Sequence, residues 1–322
     1  MPSLAQLQSI DGIGPKRYEK ICNSLRQEKM SIERFLKLEA TEIKARFGLP
    51  INVARNIHEF GSQLTTEVQE KPLDSTIKFT DNIITLTKDD SRYPKRLLQQ
   101  LGDRAPEKIY AWGNLGLLNH PGIGFCGSRN VSVTGLEATK DIAEQIAGQD
   151  WIVISGHARG VDTTAHKAAL VQDAGTIIVL PQGIDTFKLR AELKAVAKKK
   201  NLLVISEFPR KAGWNAGYAM QRNKTIIALS NAMMLIESRL EGGTFSAGKS
   251  ALQMKHPLFV VEYETTEENN KGNRYFLQRG AGSIKKSRQT GRANISSLIN
   301  TVEKSSEVKR ESKPKQLALN ID

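Results

Sequence analysis

Gly122-Ile123-Gly124-Phe125-Cys126-Gly127-Ser128-Arg129 is the stretch that decides the fold. A short apolar run breaks off at a glycine and a serine, an arginine follows, and a helical apolar pattern comes next. The same grammar returns at Trp151-Ile152-Val153-Ile154-Ser155-Gly156 and at Thr176-Ile177-Ile178-Val179-Leu180-Pro181. It returns again at Leu202-Leu203-Val204-Ile205-Ser206 and at Ala232-Met233-Met234-Leu235-Ile236-Glu237. Strands that are apolar at every position are buried on both faces, and their alternation with helices is that of βαβ units. Helices are predicted over 136–147, 161–171, 187–199, 220–228 and 245–254, with a last core strand over 257–261. The reading is an open, parallel α/β sheet with helices on both faces.

Outward from this core, a β-branched strand at 83–87, a short helix from Tyr93-Pro94 through residue 101 and a strand at 108–113 form an apron. Residues 67–76 are polar, contain Pro72 and read as a linker. Residues 1–66 read as helical. Within them Asp11-Gly12-Ile13-Gly14-Pro15 places two glycines around an apolar residue, and proline suits a first helical position. Amides at Gly12, Gly14 and the following helix start can hold a phosphate, with Lys16 and Arg17 adding charge. This resembles the helix-hairpin-helix motif, which grips DNA backbone. A degenerate second copy is read at 43–50 and the helix that follows. Downstream, 280–284 reads as an edge strand and 293–302 as a short helix. Residues 303–315 are charged, without apolar periodicity, and read as disordered. The terminal Gln316-Leu317-Ala318-Leu319-Asn320-Ile321 loosely resembles the sliding-clamp docking peptide of bacterial DNA enzymes, without its aromatic residue. The expected layout is thus a helical domain at 1–66, a linker at 67–76, the sheet domain at 77–285 and a basic, largely disordered tail at 286–322.

The 322 residues include 47 Lys and Arg against 34 Asp and Glu, a net charge of +13. That imbalance points to nucleic acid or another anionic partner. The two cysteines, Cys22 and Cys126, give neither metal spacing nor a disulfide framework. The N-terminus lacks a signal-peptide apolar core and no run is long enough to span a bilayer. A cytoplasmic protein with no membrane partner is expected.

An open α/β sheet binds ligands beyond the carboxyl ends of its strands, and here those ends are chemically marked. Gly127-Ser128-Arg129 offers close backbone approach, a hydroxyl and a guanidinium fork. Ser155-Gly156 ends the second strand. Gly242-Gly243-Thr244 opens a helix whose amides favour an anion. Arg222-Asn223 adds a second fork and an amide, and Lys188 and Lys224 extend the positive track. Phe187, Tyr218 and Trp214 are the candidate base-stacking residues. Neither a Gly-x-Gly-x-x-Gly fingerprint nor a Walker loop is present. No nucleophile–base pair and no metal cluster emerges, so no catalytic residue, metal or cofactor is assigned. Asp162 and His166, four apart on one helix, read most simply as a helix-start carboxylate and a packing histidine. His157 follows the second strand end and is placed where it can face the site. Glu237 is the one carboxylate worth suspecting, with orientation of Arg222 or receipt of backbone amides as its alternatives.

Taken in order, Gly127-Ser128-Arg129, Thr134-Gly135, Ser155-Gly156-x-Ala158-x-Gly160-x-Asp162 and Ala165-His166-x-x-Ala169-Leu170 resemble the DNA-processing protein A family, also called DprA or Smf. So do Val179-Leu180-x-x-Gly183-x-Asp185, Ser206-Glu207-x-Pro209, Arg222-Asn223 with Ile226-Ile227-Ala228-Leu229-Ser230, and Gly243-Thr244-x-x-Ala247. Tyr93-Pro94, Tyr110-x-x-Gly113, Gly272-Asn273 and Gly280-Ala281 extend the resemblance over residues 77–285. The chain departs from the pattern at His157 (leucine), Phe187-Lys188 (Tyr-Pro), Met220-Gln221 (Phe-Pro), Lys224 (arginine) and Val261-Glu262 (Pro-Gly).

The resemblance implies an extended Rossmann-like domain preceded by a helix-hairpin-helix, SAM-like domain. It implies single-stranded DNA as partner, protection of incoming strands, help in loading a RecA-type recombinase during transformation and competence, homodimers, and no catalysis. The alternative is a nucleotide-binding sensor or nucleotide hydrolase of the same superfamily, with a role in phage defence among its forms. Relatives that cleave nucleoside monophosphates use a Gly-Gly-x-Gly-Thr loop. Here Glu241-Gly242-Gly243-Thr244 keeps glycines and threonine, but Ser246, Ala247 and Gly248 follow where a catalytic glutamate is needed.

Overall fold

The computed structural model describes residues 7, 10–28, 30–66, 73 and 79–311. The chain forms two compact units, Met1–Lys71 and Pro72–Asp322. The expected linker falls almost wholly outside the described residues, as do residues 312–322 with the terminal peptide. No helix among the described residues is long and apolar enough to cross a membrane.

The first unit is helical: α1 (Pro15–Gln27), α2 (Ile32–Leu36), α3 (Ala40–Phe47) and α4 (Ile51–Thr66). Ile13, Ile21, Leu25, Phe35, Ile43, Phe47, Leu49 and Ile57 form its core. Two turns are built alike. Gly12 and Gly48 both take positive φ (85° and 59°), a conformation that favours glycine. Each is followed by a buried apolar residue, Ile13 or Leu49, and then by a helix start at Pro15 or Ile51. The turns are tied to the helices around them: Asn56 Nδ2 donates to Asp11 O (3.0 Å), and Lys20 Nζ donates to Gly48 O (3.2 Å). The segment that would supply a helix before the first turn lies mostly outside the described residues.

The second unit is a nine-stranded sheet with helices on both faces. Its strands are β1 (Ile84–Thr87), β2 (Lys108–Gly113), β3 (Gly122–Cys126), β4 (Ile152–Ser155), β5 (Thr176–Val179), β6 (Leu202–Ser206), β7 (Ala232–Leu235), β8 (Leu258–Val261) and β9 (Gly282–Ile284). They lie in the order β1-β2-β6-β5-β4-β3-β7-β8-β9. From β6 to β9 every pairing is parallel; β1 and β2 form an antiparallel apron on β6. The helices are α5 (Lys95–Leu101), α6 (Val133–Ala147), α7 (Val161–Val171), α8 (Ala191–Lys194), α9 (Ala216–Leu229), α10 (Gly242–Gln253), α11 (Lys271–Leu277) and α12 (Ser296–Glu311).

Successive strand residues face opposite sides. Ile152, Ile154, Met233 and Leu235 enter one core, while Val153, Ala232, Met234 and Ile236 enter the other. This double burial is why the strands read as unbroken apolar runs. The chain runs outward from β3 through β4, β5 and β6, crosses back through α9, and continues from β7 on the far side of β3. The strand order therefore reverses between β3 and β7, which is where such a sheet opens a crevice.

Two expectations are corrected. The helix predicted over 187–199 is helical only at Ala191–Lys194. Phe187 and Leu189 are buried while Lys188 between them is exposed, a period of two that belongs to extended chain. Phe187 packs edge-on between Phe79 and His157, with ring centroids 4.8 and 4.9 Å away. The chain after residue 285 is also not simply a loose tail. Lys286 bridges to Ala293, and the helix expected over 293–302 begins at Ser296 and continues to Glu311, into the stretch read as disordered. Ile295, Leu298 and Val302 recur at helical spacing and are buried in the core beside Ile142 and Phe259, which anchors this helix to the sheet domain.

Candidate functional site

A cleft of 670 Å³ lies over the carboxyl ends of β3 and β7. Its walls come from the loop after β3, the first turns of α9 and α10, and the segment after β7. Of the residues predicted from sequence, Gly127, Ser128, Arg129, Arg222, Asn223, Gly242, Gly243 and Thr244 line it. Sequence reasoning did not single out Asn130, Arg239 or Ser246, which also line it. Arg239 lies two residues beyond Glu237, so the chain leaving a marked strand end was the signal available.

The β3 loop is shaped by its own polar groups. Ser128 Oγ accepts from the Asn130 amide (3.1 Å). Ser132 caps α6, its hydroxyl accepting from Gly135 N (3.0 Å) and donating to the Glu237 carboxylate. Ser132 N donates to Glu237 Oε2 (3.0 Å). Glu237 is almost fully buried, so it receives a backbone amide, as one of its alternative readings held. It ties the two strands of the crevice together.

Arg222 enters from α9 and is 9% exposed. Its Nη1 donates to Val179 O (3.3 Å), and its Nε has no hydrogen-bond partner. Burial pulls its guanidinium below the usual range, and Asp162 opposes that shift. Asp162 is buried too, and Oδ2 accepts from Ala158 N (3.2 Å). Burial pushes its carboxyl up, while Arg222 holds it down. Gly156 is the space into which both reach. A Cβ there would overlap Arg222 Nη1 and lie 2.6 Å from Asp162 Oδ2. Ser155 and Gly156 therefore do not line the cleft. Ser155 is buried with Oγ donating to Phe125 O (2.7 Å), and Gly156 makes room for the guanidinium. Gly160 takes φ 77° and packs on the Ser128 carbonyl, joining the two loops.

At α10, Gly242 has φ 86° and a Cβ on Gly242 or Gly243 would meet nothing within 4 Å. The helix start is thus open toward the cleft. Lys188 and Lys224 are exposed and line neither this cleft nor its neighbour, so the structure does not bring them to the site. Of the predicted stacking residues, Phe187 is buried. Tyr218 stacks on Phe208 with ring centroids 4.0 Å apart. Trp214 remains 54% exposed and lines the cleft.

A second cavity of 360 Å³ shares Arg129, Ala158, Trp214 and Arg222 with the first. His157 lines it, with Nε2 accepting from Arg190 N (3.3 Å). Burial, followed by the charges of His166, Arg190 and Arg222, pulls the His157 imidazole down to about 3.

Groups that carry catalysis elsewhere are occupied here. His166 is fully buried between Thr176 Oγ1 and Gly156 O, both at 2.6 Å. A carbonyl can only accept, so Nε2 holds a proton, while the Thr176 hydroxyl donates to Val153 O (2.8 Å). Burial lowers this histidine to about 4. Burial also pushes the Cys126 thiol up to about 12, keeping it protonated. No cluster of His, Cys, Asp or Glu among the described residues is arranged to hold a metal.

In the first unit, Gly14 starts α1 and is exposed, as are Lys16 and Arg17. Arg17 Nη1 donates to Gly12 O (2.7 Å), so this arginine braces the turn.

The sheet order and the cleft at its reversal define a Rossmann-like protein with an anion-suited crevice. Residues 84–293 match the family model of DNA recombination-mediator protein A, and the chain belongs to that family. It is 29% identical over 195 residues to Protein Smf of Escherichia coli, covering 60% of this chain and 52% of that protein. It is 28% identical over 183 residues to DNA processing protein DprA of Streptococcus pneumoniae, covering 55% and 63%. The chain thus spans between half and two thirds of these relatives. The X-ray structure of DprA from Streptococcus pneumoniae superposes with a TM-score of 0.58 at 21% identity, covering 87% of this chain and 93% of that one. DNA processing protein A from Helicobacter pylori, whose structure describes a single-stranded DNA binding mode, gives 0.57 at 24%, covering 72% and 99%. Both share the fold.

Proposed function

We propose that the cleft between β3 and β7 grips the sugar-phosphate backbone of single-stranded DNA, and that the protein is a binding module rather than an enzyme. The observation that carries this reading is that Arg129 and Arg222 line one cleft together with Gly127-Ser128 and the open helix start at Gly242-Gly243-Thr244. Guanidinium forks and exposed amides recognise phosphate and carry no base information. Trp214 adds a flat apolar face at the rim, the sequence-tolerant contact that single-strand binders use. The occupation of Glu237, His166 and Cys126 in structural or desolvated roles supports binding over chemistry. The names of the curated relatives and the Helicobacter pylori structure support DNA as the ligand.

The same reading makes Gly12, Gly14, Lys16 and Arg17 secondary backbone contacts, and a homodimer and a RecA-type recombinase the partners in strand protection and transformation. Light scattering and a pull-down with the recombinase test these in turn.

The central test is an anisotropy competition of labelled single-stranded DNA against duplex, RNA and mononucleotides at several salt concentrations. Single strands win, and log K falls linearly with log salt. Arg129→Ala lowers affinity about tenfold or more and flattens the slope by about 0.7, the share of one single-strand phosphate contact. Unchanged affinity and slope would remove Arg129 from the site.

A further inference from the structure

The second cavity has a charge pattern that a strand's internal phosphates do not explain. Arg129, Arg159, Arg190 and Arg222 all line its 360 Å³, and no carboxylate lines it. Arg129 and Arg159 make no hydrogen bond or ion pair among the described residues. Arg190 Nε and Arg222 Nε are buried without a partner. Arg222 is nine-tenths buried, and the two carboxylates whose charge reaches it, Asp162 and Glu207, lie outside the lining of this cavity. An unpaired buried donor is costly, more so when it is charged. Four guanidinium groups around one cavity with no carboxylate in its lining therefore call for a ligand of more than one negative charge. An internal phosphodiester carries a single charge. A terminal phosphate monoester carries nearly two at neutral pH and offers three acceptor oxygens.

We propose that this cavity is a subsite for the terminal phosphate monoester of a nucleotide, held by Arg190 and Arg159 alongside the two cleft arginines. The inference rests on the strand-binding reading above. The cavity adjoins the cleft through Arg129, Ala158, Trp214 and Arg222. A strand lying in the cleft, with a base against Trp214, brings its phosphorylated end to these arginines. A free mononucleotide presents the same chemistry.

The test uses the full chain and one internally labelled oligonucleotide sequence made with a 5′-phosphate, a 3′-phosphate or hydroxyls at both ends. One phosphorylated form binds about tenfold tighter than the hydroxyl form at pH 7.5, the worth of one or two charge-assisted bonds. The preference shrinks at pH 5.5, where the monoester has lost its second charge. Arg190→Gln and the exposed Arg159→Gln each reduce the preference to within about twofold and leave the hydroxyl-ended strand bound as before. The surface position of Arg159 keeps the test valid if Arg190→Gln disturbs folding. A free mononucleotide that competes in the wild type, and fails against both variants, supports the same subsite with a small ligand as its source. Equal binding of all three ends with no mononucleotide competition overturns the inference while leaving the strand reading intact. Absence of binding to any oligonucleotide overturns the strand reading itself.

Discussion

Gly156→Ala tests how the buried arginine is held. A Cβ at this position overlaps Arg222 Nη1 and comes within 2.7 Å of Cζ and 2.6 Å of Asp162 Oδ2. The guanidinium sits at the far end of a flexible side chain, but Arg222 is 9% exposed and cannot swing into solvent without emptying its pocket. Overpacking a filled site costs about 1–3 kcal/mol. Displacing Nη1 from the Val179 carbonyl removes a charge-assisted bond worth about 1.5–3 kcal/mol. The substitution is expected to cost about 3–5 kcal/mol in urea unfolding. In an Arg222→Ala background both contributions vanish and only the approach to Asp162 remains. The double-mutant cycle should then show a coupling of about 2 kcal/mol or more, of the sign that makes Gly156→Ala milder when Arg222 is gone. Single-strand binding by Gly156→Ala should fall as far as in Arg222→Ala, since both remove the same group. Additive unfolding energies, or normal DNA binding by Gly156→Ala, would refute the placement of Arg222.

Three further outcomes are expected. His166 titrates at about 4 when folded, against 6.5 for an ordinary imidazole, so the unfolded chain binds the extra proton between these values. Its stabilisation is complete above pH 6.5 and is lost as pH falls toward 4, on the order of 3 kcal/mol; His166→Gln should flatten this limb of a pH series of urea melts. Ser132→Ala removes the α6 cap and a donor to the buried Glu237 carboxylate, and should lower stability by about 2 kcal/mol by thermal or urea unfolding. Trp214 is 54% exposed whereas Trp112 and Trp151 are buried, so DNA should quench emission from Trp214 above all; Trp214→Ala should remove the quench and weaken binding by about 1–3 kcal/mol.

The sheet was legible because its strands are buried on both sides, so that Ile152 to Ile154 and Met233 to Leu235 had to be apolar at every position. The cleft was legible where the chain itself turns, at Gly127-Ser128-Arg129 and Gly242-Gly243-Thr244. Reading failed where a residue's role depends on a distant neighbour. Gly156 looked like a ligand contact because nothing local says that Arg222, 66 positions later, fills the space above it. Phe187 looked like a stacking platform because Phe79 and His157, which cover it, come from two other segments. Lys188 and Lys224 carried the right charge, but both are exposed outside the linings of the two cavities. Arg190 was hidden in a stretch read as helix, where an arginine is an ordinary surface residue.

The two cleft arginines are held in opposite ways, and that difference bears on what the site can bind. Arg222 is walled in by Gly156, Val179 and Asp162, so its fork is positioned before any ligand arrives and little side-chain entropy is lost on binding. Arg129 sits on a loop shaped by Ser128, Ser132 and Glu237, and makes no hydrogen bond or ion pair among the described residues. A fixed fork defines where one phosphate lies. A free fork in the same cleft can follow the next phosphate along a backbone whose torsions vary with sequence. A site for one small cofactor gains from fixing both. A site for a strand of any sequence gains from fixing one and leaving the other to adapt, and that is the arrangement found here.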